Sequence, residues 1–244
     1  MNPSTKELIA NVRFYSYKKR LHANAKRFLP KLDGDILDIG SGKQPFKPYL
    51  SHSGRYETLE IGPNSHPSLI GDIQNLGVAS QSFDAVICTE VLEHIANPQQ
   101  ALENISRVLR PGGKLYMTVP MSWGLHYEPS DYYRYTKYGL HTLLQSAGLT
   151  ATHTVQIGGL FVMILARLQD ILVSLLYRVA FPLRWIVGND NRYHFTSYCL
   201  LPLLWLLDLI ATFLDKTVPR ANEDALGWAI LATKAGESAN GSDA

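Results

Sequence analysis

Acids and glycines recur in the first half of the chain where an apolar run gives way to a loop, and they outline two chemistries. The first begins at Asp38-Ile-Gly40-Ser41-Gly42-Lys-Gln44. Glycines there let the backbone approach a ligand closely, and the turn is expected to open a helix whose amides meet the ligand's polar groups. Glu60 follows about twenty residues on, at a strand end, where an acid can accept hydrogen bonds from ribose hydroxyls. Gly71-Asp72-Ile73 then sets an acid beside an apolar residue, a pairing suited to an adenine. Dinucleotide-binding domains share the glycine turn, so the order of the three features carries the nucleoside reading.

The second chemistry rests on Glu90-Val-Leu-Glu93-His94 and on His126-Tyr-Glu128-Pro-Ser-Asp131-Tyr-Tyr-Arg134-Tyr-Thr136. Glu90, Glu93 and His94 stand at i, i+3 and i+4, so a helical turn would bring them to one side. In the longer segment, aromatic rings interleaved with His126, Asp131 and Arg134 suit a hydroxyl-bearing acceptor, with His126 as the base. The alternative is a lid over the first site in which Arg134 pairs with Asp131 or Glu128 for structure.

The elements that must position these residues follow from hydrophobic pattern. Asp35–Ile39, Tyr56–Ile61, Phe83–Cys88 and Leu115–Val119 read as strands, the last entered through an Arg110-Pro-Gly-Gly113 turn. Pro98–Leu109 reads as a helix with Ala101, Leu102, Ile105, Val108 and Leu109 on one face. Strands alternating with helices argue for a parallel sheet covered on both sides. Residues 1–30 are expected to hold a basic helix over Thr5–Leu29, 31–157 the core, and 158–222 an apolar helical insertion. Residues 223–236 would supply the final strand and 237–244 a polar tail.

In order, these segments resemble the successive motifs of class I S-adenosylmethionine-dependent methyltransferases, the group with a V-L-E-H-I segment and an L-R-P-G-G turn. The resemblance covers Gly34–Pro120 and the strand near Gly227. It implies a doubly wound, mostly parallel seven-stranded α/β sheet of Rossmann-like type, with the helical insertion between the last two strands. It implies S-adenosylmethionine as cofactor, with Asp38, Gly40, Ser41 and Gly42 along its methionine part. Glu60 would serve the ribose, Asp72 and Ile73 the adenine, and Thr89 and Glu90 the floor beside the sulfonium. The family often has a third glycine where this chain has Gln44.

The E-x-x-E-H pattern further resembles a divalent-metal site in methyltransferases of RNA ends and of the ubiquinone pathway. That implies Glu90, Glu93, His94 and His126 as ligands for Mg²⁺ or Mn²⁺, against the alternative that Glu or His only orients a loop. The H-x-E-P-x-D-x-Y-R-Y-T stretch resembles methyltransferases of cell-surface polysaccharide and glycolipid synthesis. The function expected is O-methylation of a hydroxylated small molecule, sugar or lipid-linked acceptor. The alternatives are a metal-dependent RNA-end 2′-O-methyltransferase and a non-catalytic cofactor-binding module.

Composition narrows the partners. A net charge of +2 argues against nucleic acid, although eight Lys and Arg lie between Met1 and Lys31 against the single acid Glu7. Cys88 and Cys199 are the only cysteines, too few and too far apart for a disulfide framework or thiolate zinc site. The N-terminus has no apolar signal-like run, so a cytoplasmic location is expected. The insertion is too short and broken to span a bilayer. It fits a cap on the sheet, a homodimer interface, or an element lying on the inner face of the membrane.

Overall fold

Three apolar residues and Asp38, Ile36–Ile39, form strand β1, buried at every position. Burial on both faces is what a strand between parallel neighbours under helical cover requires. The neighbours are β2 (Tyr56–Glu60) and β4 (Phe83–Thr89), and the sheet is completed by β3 (Leu69–Ile70), β5 (Leu109–Pro120), β6 (Leu149–Ile157) and β7 (Gly227–Lys234). In this computed structural model, which describes residues 14–51, 54–179, 191–219 and 223–236, the strand order is β3-β2-β1-β4-β5-β7-β6. The pairings from β3 through β5 are parallel, and β7 runs antiparallel to β5. This is the expected seven-stranded, mostly parallel sheet. Its order reverses between β1 and β4, the point at which open α/β sheets bind ligands beyond their strand ends.

Contacts divide the chain into two units: a sheet unit of His22–Val155 with Gly227–Ala244, and a helical unit of Met1–Leu21 with Gln156–Leu226. In the sheet unit, helix α1 (Tyr15–Phe28) contributes its second half, where Ala25 and Phe28 are fully buried and Phe28 lies 5.9 Å from the Tyr116 ring of β5. Helix α2 (Pro98–Val108) starts on a proline, which needs no partner for a missing N–H, and is capped by Asn97 accepting from the Gln100 amide. It buries Ala101, Leu102, Ile105 and Val108, as the sequence period requires. Thr136 caps α3 (Lys137–Ser146) in the same way.

The helical unit contains α4 (Leu160–Val179) and α5 (Asn191–Thr217), which lie in sequence between β6 and β7. Asp215 accepts from the amides of Gly159 and Phe161 at 2.8 Å each, capping α4 from the neighbouring helix. Asp208 pairs with Lys19 at 2.7 Å and Arg20 at 2.6 Å. Among the described residues, no helix is long and apolar enough to cross a membrane.

Three expectations change. No α-helix follows the glycine turn: the chain passes through turns into a 3-10 segment at Lys47–Tyr49, because Pro45 and Pro48 remove amide donors and disfavour a continuous α-helix through them. Arg110–Gly113 is not a turn ahead of β5 but a bulge within it, where the register jumps from Phe83↔Leu109 to Ala85↔Lys114. Leu109 is accordingly the first residue of that strand. The short β3 carries too few residues for any period to reveal. The start of the basic helix before Phe14, residues 180–190 of the insertion and the tail from 237 lie outside the described residues.

Candidate active site

Beyond the ends of β1, β2 and β4 lies a cleft of about 520 Å³, within the span of small-molecule sites. Gly40, Gly42, Glu60, Asp72, Ile73 and Glu90, all expected to face a cofactor, line it. Gly40 has φ +68°, and a Cβ there would stand 2.2 Å from Val91 Cγ2, so only glycine fits. Gly42, at φ +50°, has no atom within 4 Å of the same position and presents bare backbone. Its amide donates to Glu60 Oε1 at 2.5 Å. Gln44 adopts φ +57° and donates its amide to the Ser41 carbonyl at 2.7 Å. Gln44 therefore holds left-handed backbone, which glycine adopts more readily than a residue with a side chain.

Asp38, Ser41 and Thr89 do not line this cleft. Asp38 is buried behind it, with Tyr56 Oη donating to Oδ2 at 2.5 Å. Burial pushes the Asp38 carboxyl up to about 7, with the Tyr56 bond pulling the other way. Ser41 is buried, and its hydroxyl meets no hydrogen-bond partner among the described residues. Asp72 caps the turn at Ile73–Asn75 by accepting from the Gln74 amide at 2.8 Å, which fixes where Ile73 stands. Val91, Ile95, Tyr127 and Ser130 also line the cleft. All four lie inside the segments that the sequence singles out, but as neighbours of the named residues rather than as residues expected to touch a ligand.

Beside the cleft, Glu93, His94 and His126 offer ligand atoms within 4.8 Å of one another. The Glu93 side chain is fully buried, and neither carboxyl oxygen has a hydrogen-bond partner among the described residues. Burial first, and the Glu90 carboxylate second, push its pKa far above the usual carboxylate range. His94 Nε2 lies 3.7 Å and His126 Nε2 4.0 Å from Glu93 Oε1. The opposite nitrogens face acceptors: His94 Nδ1 lies 2.6 Å from the Ser130 carbonyl and His126 Nδ1 3.1 Å from that of Gly124. A carbonyl only accepts, so each neutral ring carries its proton on Nδ1 and turns an Nε2 lone pair toward Glu93. Metal-binding histidines are oriented by this kind of outer hydrogen bond.

Glu90 is not in this group. Its backbone is left-handed at φ +54°, and only Leu92–His94 forms a 3-10 turn. The helical spacing that would gather Glu90 with Glu93 and His94 is therefore absent, and Glu90 faces the cleft instead.

The segment after β5 is held by one ion pair. Arg134 Nη1 meets Asp131 Oδ1 at 2.7 Å and Nη2 meets Oδ2 at 2.7 Å, a two-pronged pairing. The same guanidinium donates to the carbonyls of Trp123, Gly124 and Tyr133. Asp131 Oδ2 also accepts from the His126 amide at 2.8 Å. The Arg134 guanidinium holds the Asp131 carboxyl far below the ordinary range. Asp131 and Arg134 thus orient His126 without lining the cleft.

Residues 37–117 match the family described as methyltransferase domain. The chain is 40% identical to the ubiquinone biosynthesis O-methyltransferase of Coxiella burnetii over 47 residues, 19% of this chain and 20% of that protein. It is 29% identical to the human thiol S-methyltransferase TMT1A over 127 residues, 45% of this chain and 52% of that one. The chain thus spans about a fifth to a half of the length of these curated relatives. Among solved structures, the Burkholderia thailandensis 1,6-didemethyltoxoflavin-N1-methyltransferase, with bound 1,6-didemethyltoxoflavin and S-adenosylhomocysteine, aligns with a TM-score of 0.52. Identity there is 14%, over 95% of this chain and 87% of that one. Residues 37–117 therefore match a methyltransferase domain, and the chain shares the fold of this S-adenosylhomocysteine-bound methyltransferase.

Proposed function

We propose that the protein transfers the methyl group of S-adenosylmethionine to a hydroxyl oxygen of a small molecule, a sugar or a lipid-linked acceptor. One observation carries this reading: His94 both lines the nucleoside-type cleft and belongs to the Glu93–His94–His126 group. Apparatus for deprotonating a hydroxyl therefore adjoins the cofactor cleft.

The cleft fits the cofactor. Gly40 and Gly42 offer bare backbone, Glu60 is held by Gly42 with its second oxygen left for ribose hydroxyls, and Asp72 and Ile73 suit the adenine. Glu90 would complete the methionine end from the cleft wall; Asp38, Ser41 and Thr89, which do not line the cleft, would serve it indirectly, Asp38 through its hydrogen bond with Tyr56. When bound, the sulfonium supplies an electrophilic methyl group, so the chain's own task is to place an acceptor oxygen in line with it.

A hydroxyl acceptor must also lose its proton. His126 is the residue suited to take it, on the Nε2 lone pair that Asp131 and Gly124 orient. The same donor set fits a divalent ion: a buried carboxyl without partners faces two imidazole lone pairs. With an ion bound, His126 Nε2 would be a ligand rather than the base: Glu93, His94 and His126 would hold Mg²⁺ or Mn²⁺, which would supply Lewis-acid polarisation of the acceptor hydroxyl in place of proton transfer to His126.

Labelled cofactor offered with hydroxylated, thiol and amine acceptor pools tests the reading. Label entering only the hydroxylated pool supports it; label entering only thiols or amines overturns it. Mn²⁺ binding followed by paramagnetic resonance should be present in the wild type and lost in His126→Ala. The RNA-end alternative draws no support from charge, since the sheet unit carries twelve Lys and Arg against fourteen Asp and Glu.

A further inference from the structure

The helical unit is built with its polarity reversed. On α5, Leu204, Asp208, Ala211 and Asp215 recur at helical spacing and are all buried, so two carboxylates sit on the inward stripe. Gln169 on α4 is likewise buried, 3.4 Å from the Ser16 hydroxyl of α1. The outward positions are apolar: Leu168, Ile171 and Leu175 on α4, and Trp205, Leu206 and Phe213 on α5, are each half or more exposed. In water, a helix pair buries its leucines and exposes its acids. Acids turned inward onto cations and amides, with large apolar groups turned outward, is the arrangement of helices whose surroundings are apolar.

We propose that this face lies in the headgroup and acyl boundary of an anionic lipid bilayer. Three observations select lipid over a second copy of the chain. The apolar groups cover both helices, from Ile164 to Leu175 on α4 alone, about 17 Å of helix. No described helix is long and apolar enough to cross a bilayer, so the face fits the plane of one leaflet. The unit carries eleven Lys and Arg against seven Asp and Glu, whereas the sheet unit is net negative. Two like-charged copies would repel one another, while an anionic leaflet attracts such a unit. The inward acids are already partnered: Asp208 by Lys19 and Arg20, Asp215 by hydrogen bonds from the amides that open α4. Nothing charged on that stripe needs water. The inference does not depend on methyl transfer.

The test is flotation of the full chain with vesicles of equimolar phosphatidylcholine and phosphatidylglycerol. At low salt the chain should float with these vesicles, and less with phosphatidylcholine alone. Leu168→Glu with Phe213→Glu should weaken partitioning about tenfold per residue, from the transfer cost of the lost apolar groups. Circular dichroism and S-adenosylhomocysteine binding by the sheet unit should be unchanged in that variant, so lost flotation cannot be ascribed to unfolding. Brominated lipid should quench tryptophan emission in the wild type, and Trp205→Phe should lose the part of that quenching due to Trp205. A chain that stays with the pellet at low salt overturns the proposal, as does a double variant that floats like the wild type. A lipid-free dimer that the same substitutions dissociate, without flotation of the wild type, would assign the face to a second copy and overturn it equally.

Discussion

Glu60, at the end of β2, is fixed by the loop after β1: the Gly42 amide donates to Oε1 at 2.5 Å. A carboxylate held on one oxygen loses rotamer freedom before any ligand arrives, so its second oxygen is preorganised for a diol. Hydrogen bonds to a charged acceptor contribute about 1.5–3 kcal/mol. Glu60→Ala should therefore weaken S-adenosylhomocysteine binding by roughly ten- to a hundredfold in titration calorimetry. Glu60→Gln, which keeps shape but loses charge, should fall between. Affinity within twofold of wild type in both variants would remove Glu60 from the cofactor site.

Gly40 and Gly42 have similar backbones but different surroundings, and alanine should separate them. At Gly40 a methyl would overlap Val91 Cγ2, and left-handed backbone costs an alanine about 1–2 kcal/mol in addition. At Gly42 the methyl would meet nothing in the protein and stand in the cleft. Urea unfolding should show Gly40→Ala to be the more destabilised, with Val91→Ala recovering the part due to overlap. Calorimetry should show Gly42→Ala losing cofactor affinity out of proportion to its stability.

What could be read from the chain, and what could not, divides on physical lines. β1 and β4 are short, mostly apolar runs, β1 ending at Gly40, and α2 is periodic and opens on Pro98, so their existence and buried faces follow from local pattern. The Gly40, Gly42 and Glu60 relation is legible because a turn and a strand end fix it within one βαβ-like unit. The helix after Gly42 misleads because fold precedent argues for it while Pro45 and Pro48 disfavour it locally. Glu90 departs from its expected cluster because a single left-handed residue, φ +54°, breaks the helical spacing that the pattern assumes. That Arg134 and Asp131 orient His126 rather than react is a matter of three-dimensional hydrogen bonding. The sequence could name the pairing but not decide between the roles.

Asp38 should make stability depend on pH in an unusual direction for an acid. Its folded pKa, about 7, lies above the unfolded value, so the folded state binds more protons between the two. Its contribution is fully present below the unfolded pKa and declines as pH rises through about 7, at about 1.4 kcal/mol per pH unit within that window. Urea unfolding from about pH 5 to about pH 8 should show a stability difference between wild type and Asp38→Asn that shrinks with rising pH, or changes sign, and then levels. Tyr56→Phe removes the donor that favours the ionised form, so it should move that levelling to higher pH. A difference independent of pH would mean that Asp38 ionises normally.

The Arg134–Asp131 pair and His126 are predicted to fail differently. His126→Ala removes the proton acceptor and one candidate metal ligand but leaves the cofactor walls alone. It should lower kcat by a hundredfold or more, in keeping with about 10²–10⁴ for a positioned base, with S-adenosylhomocysteine affinity nearly unchanged. Arg134→Lys retains charge but cannot span both Asp131 oxygens and the three carbonyls at once. The loop that presents His126 then loosens, and steady-state kinetics should show a smaller fall in kcat with a rise in KM for the acceptor. Because His126 keeps its own chemistry in that variant, the pH profile of kcat/KM should retain the wild-type shape in Arg134→Lys and lose a limb in His126→Ala. Equal loss of cofactor affinity and turnover in His126→Ala would make the histidine structural, and the geometry that joins it to Glu93 would then serve the fold rather than the reaction.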